Sequence, residues 1–308
     1  MRNRKIYHFF FVILNYMNYS LTAHLVDNIK KSIVGYDEYG ILIVDNASPN
    51  ESYEILKKQF DGVKDVFVIK NNMNQGYAKG NNFGVKYIEK NFSECKYVAI
   101  TNPDVEFFDN TDLGKILEKL ESNTMIASIA PIHLLNGVFN QKVIGWKTPK
   151  GFDDIFTSFA LTNFFFSRIY YKSFKIEPDR VSYVEVLSGS FFIIKLDVFK
   201  KVGYFDEHTF LYAEEAILSN KLMALGYKQI VDFESFFIHN HSAKVNRKLV
   251  ARIKESYYSL NSKAYYNANY NKPIGKLVAA LLYILYPVRI LEILGIVIVS
   301  FLNGIRNT

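Results

Sequence analysis

The sequence predicts an α/β domain on a mainly parallel, Rossmann-like central sheet with helices on both faces, followed by a helical C-terminal tail. Three observations carry this expectation. Short unbroken apolar runs are closed by turn-formers, as where Tyr97-Val98-Ala99-Ile100 runs into Thr101-Asn102-Pro103-Asp104. Stretches with apolar residues at helical spacing separate these runs, and such alternation specifies parallel β-α-β units. Polar residues collect at the carboxyl ends of the runs, where open α/β sheets bind ligands.

Taken in order, residues 9–14 form the first run. Arg2, Arg4 and Lys5 precede it as in a secretory leader, but it is short and Asn15-Tyr16-Met17-Asn18 follows in place of a small-residue cleavage site, so it reads as a buried strand. Ser20 is placed to cap a helix that shows Leu21, Leu25 and Ile29 on one face. Residues 41–44 make the next strand, and Ser48 and Glu51 then stand at capping-box spacing with Pro49 at the first helical position. A strand at residues 66–69 and a helix at 76–89 lead to the strand that starts at Tyr97. Leu113, Ile116, Leu117 and Leu120 mark an amphipathic helix, and residues 125–130 a further strand. From His133 to about Ser182 no period is sustained, which predicts an irregular excursion over the sheet edge. Residues 183–196 resume strand character around Ser188-Gly189-Ser190, Asp197 is placed to cap the next helix and Gly203 to end it. A helix at 214–225 closed by Gly226 precedes short strands near Ile230 and Phe237.

A chain of 308 residues, nearly half of them apolar, builds a substantial core and is not a disordered type. Its net charge of +7 suits anionic lipid or phosphate-bearing substrates, while the absence of Lys/Arg runs interleaved with aromatics argues against nucleic acid. Cys95 is the single cysteine, so an internal disulfide and a thiolate zinc site are both excluded, in keeping with a reducing cytosol.

Chemistry-bearing residues gather in five places. Asp104 emerges at a strand end, positioned either as a turn residue or as an oxygen ligand holding a divalent cation against phosphate. Asp45 emerges at the same edge, as a helix cap or as part of that site. Asn74, Gly76, Gly80, Asn81 and Gly84 form a glycine run that either admits a phosphate to a helix N-terminus or lets a helix pack close to the sheet. Glu214 and Glu215 open a helix after an aromatic run. They are either solvated residues that suit the helix dipole or a carboxylate pair tuned as general base. His239 and His241 alternate on a strand, so at most one points into a site.

In this order, V-I-L-N-Y, V-D-N-A-S-P-N-E-S, N-Q-G-Y-A-K-G-N-N-F-G, T-N-P-D-V, S-G-S-F-F-I-I, G-Y-F-D-E and F-L-Y-A-E-E resemble the family 2 glycosyltransferases of GT-A fold, in particular a rhamnosyltransferase-like branch that builds cell-surface polysaccharide such as cell wall or capsule. The resemblance implies inverting transfer of a sugar from a nucleoside-diphosphate sugar to a glycan or lipid-linked acceptor, aided by Mg²⁺ or Mn²⁺. It implies that Asn15 and Tyr16 border the nucleotide, that Asp45 contacts its base, and that Asn74, Gly76, Gly80 and Asn81 form a donor-side loop. It also makes Asn102 and Asp104 the D-x-D position with Asp104 the metal ligand, Glu215 the base with Glu214 beside it, and His239 a neighbour of the diphosphate. The chain departs from the family pattern with Met17 in place of Asn, and with Glu215 and Ile217 each in place of Asp. A sugar-phosphate nucleotidyltransferase is disfavoured, because Asn15-Tyr16-Met17-Asn18 is not a glycine-rich phosphate loop. A non-catalytic nucleotide-sugar or glycan-binding protein is the alternative that these substitutions keep open.

The expected division is a catalytic domain over residues 1–245 and an apolar helical tail over 246–308. Residues 277–302 are long and apolar enough to span a bilayer, but Pro287, Arg289 and Glu292 interrupt them. Two helices broken at Pro287 and lying on the cytoplasmic face of the cell membrane are expected, with Lys263, Lys272 and Lys276 toward anionic lipid, or else packing on the domain or in a homodimer.

Overall fold

The computed structural model describes residues 5–160, 162–165, 175–240 and 249–306. β1 (Phe9–Asn15) is buried on both faces: Phe9, Phe11 and Ile13 join one apolar cluster, Phe10 and Val12 the other. That two-sided burial is why its sequence runs apolar without alternation. α1 (Tyr19–Ser32) follows, and then the short β2 (Ile33–Val34), β3 (Tyr39–Asp45), α2 (Ser52–Gln59), β4 (Val66–Lys70), α3 (Tyr77–Asn91) and β5 (Tyr97–Thr101). β6 (Val105–Phe107) and β7 (Thr111–Asp112) lead into α4 (Leu113–Glu121), whose Leu113, Ile116, Leu117 and Leu120 are all buried.

The second half begins with β8 (Ile126–Leu135) and the small elements β9 (Val138–Phe139), α5 (Gln141–Ile144), β10 (Gly145–Trp146) and α6 (Asp153–Ser158). It continues through β11 (Val181–Val184), β12 (Val186–Leu187), β13 (Phe191–Lys195), α7 (Leu196–Lys201), α8 (Glu214–Ala224) and β14 (Lys228–His239) to the tail helices α9 (Leu249–Tyr270) and α10 (Gly275–Arg306). The main sheet runs β11-β14-β8-β13-β5-β1-β3-β4. Its β5-β1-β3-β4 half is parallel throughout, whereas β13 runs antiparallel to both β5 and β8. The α/β expectation therefore holds, but the sheet is mixed rather than mainly parallel: in its other half β14 pairs parallel with β8 and antiparallel with β11. α1, α2 and α4 pack on one face, and α3, α7 and α8 on the other.

Local expectations differ in five places. The residue preceding α1 is Asn18, and Ser20 lies inside the helix. Ser48 does not cap α2, which starts later, at Ser52; its hydroxyl is taken by Asp45. Asp197 falls in the first turn of α7 rather than ahead of it, with Lys195 at the cap position. β14 is one long strand where two were expected, with an irregularity between Asp232 and Phe236 that interrupts its register with β8. α10 runs unbroken through Pro287. That proline sits on the exposed side of the helix.

The tail is stitched to the domain. Ser262 donates to the carbonyl of Leu211 (2.8 Å), Asn267 to Asp154 (2.7 Å), and Tyr266 to the carbonyl of Pro149 (2.6 Å). Asp206 accepts from Tyr265 (3.0 Å) and Tyr270 (2.6 Å) of α9 and from the ring of His208 (2.7 Å). Those hydrogen bonds, with burial opposing them, hold its carboxyl below the usual range.

Candidate active site

At the parallel edge, β1 and β3 end in register, which sets Asn15 beside Asp45. Asn15 Nδ2 donates to Asp45 Oδ2 (2.8 Å), and Ser48 gives its amide to Oδ1 (2.9 Å) and its hydroxyl to Oδ2 (2.7 Å). Asp45 is fully enclosed, so here it clamps the β3 loop and lets Ser48 Oγ accept the amide of Met17 (2.8 Å). Tyr16, beside it, is exposed. Asn46, which the sequence reading passed over, ties the neighbouring loops together. It donates to Asn74 Oδ1 (3.1 Å) and the Gly76 carbonyl (3.2 Å), and accepts from Asn71 (3.2 Å).

Gly76 is needed twice over. Its φ is +94°, and a Cβ there would collide with the backbone of Phe210. Gly80 and Gly84 instead lie inside α3, where side chains would strike Leu14 and Val44 of the sheet. Asn81 is also within α3, bonding back to the Tyr77 carbonyl (3.0 Å). Of the two readings of the glycine run, close packing on the sheet therefore accounts for Gly80 and Gly84. Gly80 and Asn81 are helical rather than part of a loop.

The next strand end builds a polar centre. β14 pairs antiparallel with β6 and sets His239 opposite Val105, which brings His239 Nε2 to 3.0 Å from Asp104 Oδ1. The ring of His133, from β8, stacks on Phe237 and lies 5.1 Å from that of His239. Its Nδ1 is 3.1 Å from the carbonyl of Val143. His133 escaped the sequence reading because it sits where regular periodicity ends. His241 lies outside the described residues. Asn102 is fixed by its amide, which donates to Ser190 (2.8 Å). Among the described residues no group of three or more His, Cys, Asp or Glu side chains converges on one point. The Asp104 carboxylate still fits Mg²⁺ or Mn²⁺, which are held by one or two carboxylates plus substrate phosphates and water, with the His239 imidazole placed to orient it.

Asp104, His239, Ser188, Glu214 and Glu215 all line one cleft of about 540 Å³. Tyr212 (φ +76°) and Ala213 (φ +67°) are both left-handed, a strained pair that turns the chain sharply so that α8 starts with its first two side chains toward the cleft. Glu215 Oε1 accepts the amide of Gly189 (3.2 Å), and the absence of a side chain at Gly189 is what allows that approach. Tyr77 donates to the Gly189 carbonyl (2.6 Å), so the same residue is gripped on both sides. Burial raises both glutamates, and the charge of Glu215 adds to the effect on Glu214, which reaches about 8. Thr209 donates to Glu214, whose Oε1 has no partner among the described residues.

Because the raised Glu214 keeps its proton in the folded state and loses it in the unfolded one, stability falls as pH rises from about 4.5 to 8 and levels off above. Glu214→Gln removes that titration. Its melting temperature, read against pH, is expected to decline less than the parent's across this window, and parallel curves would refute the shift.

Comparisons with known proteins agree on one group. The profile of the family described as glycosyl transferase family 2 matches residues 10–203. The low-salt glycan biosynthesis hexosyltransferase Agl10 of Haloferax volcanii is 27% identical over 242 residues, 77% of this chain and 68% of the relative. GalNAc-T7, solved with UDP, GalNAc and Mn²⁺, superposes with a TM-score of 0.60 at 13% identity. The match covers 86% of this chain but only 48% of GalNAc-T7, so the chain spans about half that protein's length. The mannosyltransferase PcManGT from Pyrobaculum calidifontis, in complex with GDP-Man and Mn²⁺, gives 0.57 at 13% identity over 94% of this chain and 74% of its own. These two likenesses establish a GT-A-like fold.

Proposed function

This chain belongs to glycosyl transferase family 2, and from that premise we propose that it moves a hexosyl or rhamnosyl group, with inversion, from a nucleoside-diphosphate sugar to a hydroxyl of a growing cell-surface glycan or lipid-linked acceptor. The observation that carries the reading is the meeting of two unlike pairs in one cleft, Asp104 with His239 and Glu214 with Glu215. Asp104, oriented by His239, would hold Mg²⁺ or Mn²⁺, which supplies charge neutralisation for the departing diphosphate. Tyr16 and the loops tied by Asn46 and Asn74 border the nucleotide, with Asn15 and Asp45, both fully enclosed, acting through the loop they hold.

Glu215 is the base. The Gly189 amide favours its anionic form, whereas Glu214, buried and beside that charge, keeps its proton. Glu215 takes the acceptor hydroxyl's proton as the oxygen bonds to the anomeric carbon and the bond to diphosphate breaks. Incubation with a panel of nucleoside-diphosphate sugars, read by mass spectrometry for free nucleoside diphosphate and a lengthened acceptor, tests this. No release from any donor would leave a non-catalytic binding protein.

The tail is proposed to rest on a membrane surface. The segment Gly275–Val297 is long and apolar enough to cross a bilayer, but one side of α10 packs on α9. Arg289 pairs with Glu292 (2.8 Å), which also accepts the Ala160 amide (2.9 Å). Leu277, Ile284, Val288 and Leu291 are exposed along the other side, the pattern of a helix lying in the interface plane. Placing Glu at both 284 and 291 alters this stripe without touching the packed side and is expected to shift the protein from membrane to soluble fraction. An unchanged partition would refute docking through α10.

A further inference from the structure

We infer that Trp146 and Glu255 form the acceptor-sugar platform of the cleft, and that the acceptor terminates in a pyranoside whose C–H face lies on the indole; the inference rests on the glycosyltransferase reading above. The placement follows from the sheet. The proposed nucleotide residues end β1 and β3, and Asp104 follows β5, which fills the parallel half. The cleft then continues past Asp104 along the β13-β8 half, and Trp146 lines it there together with Ser188 and Glu215.

Trp146 is built into that wall. β10 pairs antiparallel with β12, with Trp146 opposite Val186, two residues before Ser188. Just beyond it, the amide of Thr148 donates to Glu185 (2.9 Å), and its hydroxyl is 3.0 Å from that of Ser219 on α8. The backbone at Trp146 is thus held close to the helix that carries Glu215, while the indole is only half-buried and belongs to neither apolar cluster of the sheet. Glu255 reaches the same cleft from α9, which Ser262 fastens to the carbonyl of Leu211. A flat apolar ring and a carboxylate on adjoining walls match a pyranose, which has an apolar face and a rim of hydroxyl donors.

Trp146 is the only tryptophan in the chain, so fluorescence excited at the red edge of indole absorption, beyond that of the tyrosines, reports this position alone in the full-length protein. Titration with the methyl pyranosides of glucose, galactose and mannose is expected to give a saturable change for at least one, and none with methanol at equal concentration. Trp146→Ala should lower the ratio of sugar transfer to donor hydrolysis by about 10- to 10²-fold, with Trp146→Phe partly restoring it and Glu255→Gln lowering it separately. Flat titrations with all three glycosides would overturn the inference. So would Trp146→Ala and Glu255→Gln both keeping the parental ratio. If no donor is turned over at all, the transferase reading falls, and the fluorescence titration still decides whether a pyranoside binds at Trp146.

Discussion

Glu215→Gln is expected to lower turnover by about 10²- to 10⁴-fold with donor binding nearly unchanged, the range that general-base catalysis supplies. Gln keeps the shape of the side chain and can still accept the Gly189 amide, so the loss isolates proton transfer. Steady-state kinetics with donor affinity measured separately make the check, on variants shown by melting to be folded. Glu214→Gln should cost far less, because its parent is already the protonated member of the pair. The parent's kcat should rise with pH through the titration of Glu215, which burial raises, since its proton must leave before it can act as base. Normal turnover in Glu215→Gln with a dead Glu214→Gln would move the base by one residue. Normal turnover in both would remove the pair from the chemistry.

Asp104→Asn is expected to abolish metal-dependent transfer, a loss of roughly 10³-fold if the cation contributes several kcal/mol to the transition state. Asn preserves size but brings no charge to a dication. Calorimetric titration of Mn²⁺ in the presence of UDP or GDP provides a readout apart from activity, with binding expected in the parent and lost in the variant. His239→Ala should weaken the same binding by about 10- to 10²-fold, as the loss of a supporting ligand or orienting partner does. Unchanged metal binding in both variants would place the cation elsewhere.

The parallel half was legible because each of its strands is buried on both faces and each helix shows one apolar stripe, so that period and composition agree. Strand ends then placed Asp45 and Asp104 on one edge without further information. What sequence could not resolve were residues with two physically reasonable uses. Ser48 has capping-box spacing, but a buried carboxylate outbids a helix end for its hydroxyl. Gly80 and Gly84 look like a phosphate cradle, yet their spacing is that of a helix pressed on Leu14 and Val44. His133, Trp146 and Glu255 come from segments without strong period, and only strand pairing and the docking of α9 bring them to the cleft. Pro287 misled because a proline inside a helix removes only one backbone bond, while the packing of α10 on α9 through Val278 and Leu282 holds the helix together.

Asp206 bonds two tyrosines of α9 and sits a few residues ahead of the left-handed turn that aims Glu214 and Glu215, while the other flank of α9 carries α10. One carboxylate thus ties α9 to the segment that leads into the Glu214–Glu215 turn, so a displacement of α9 is passed on to residues 206–215.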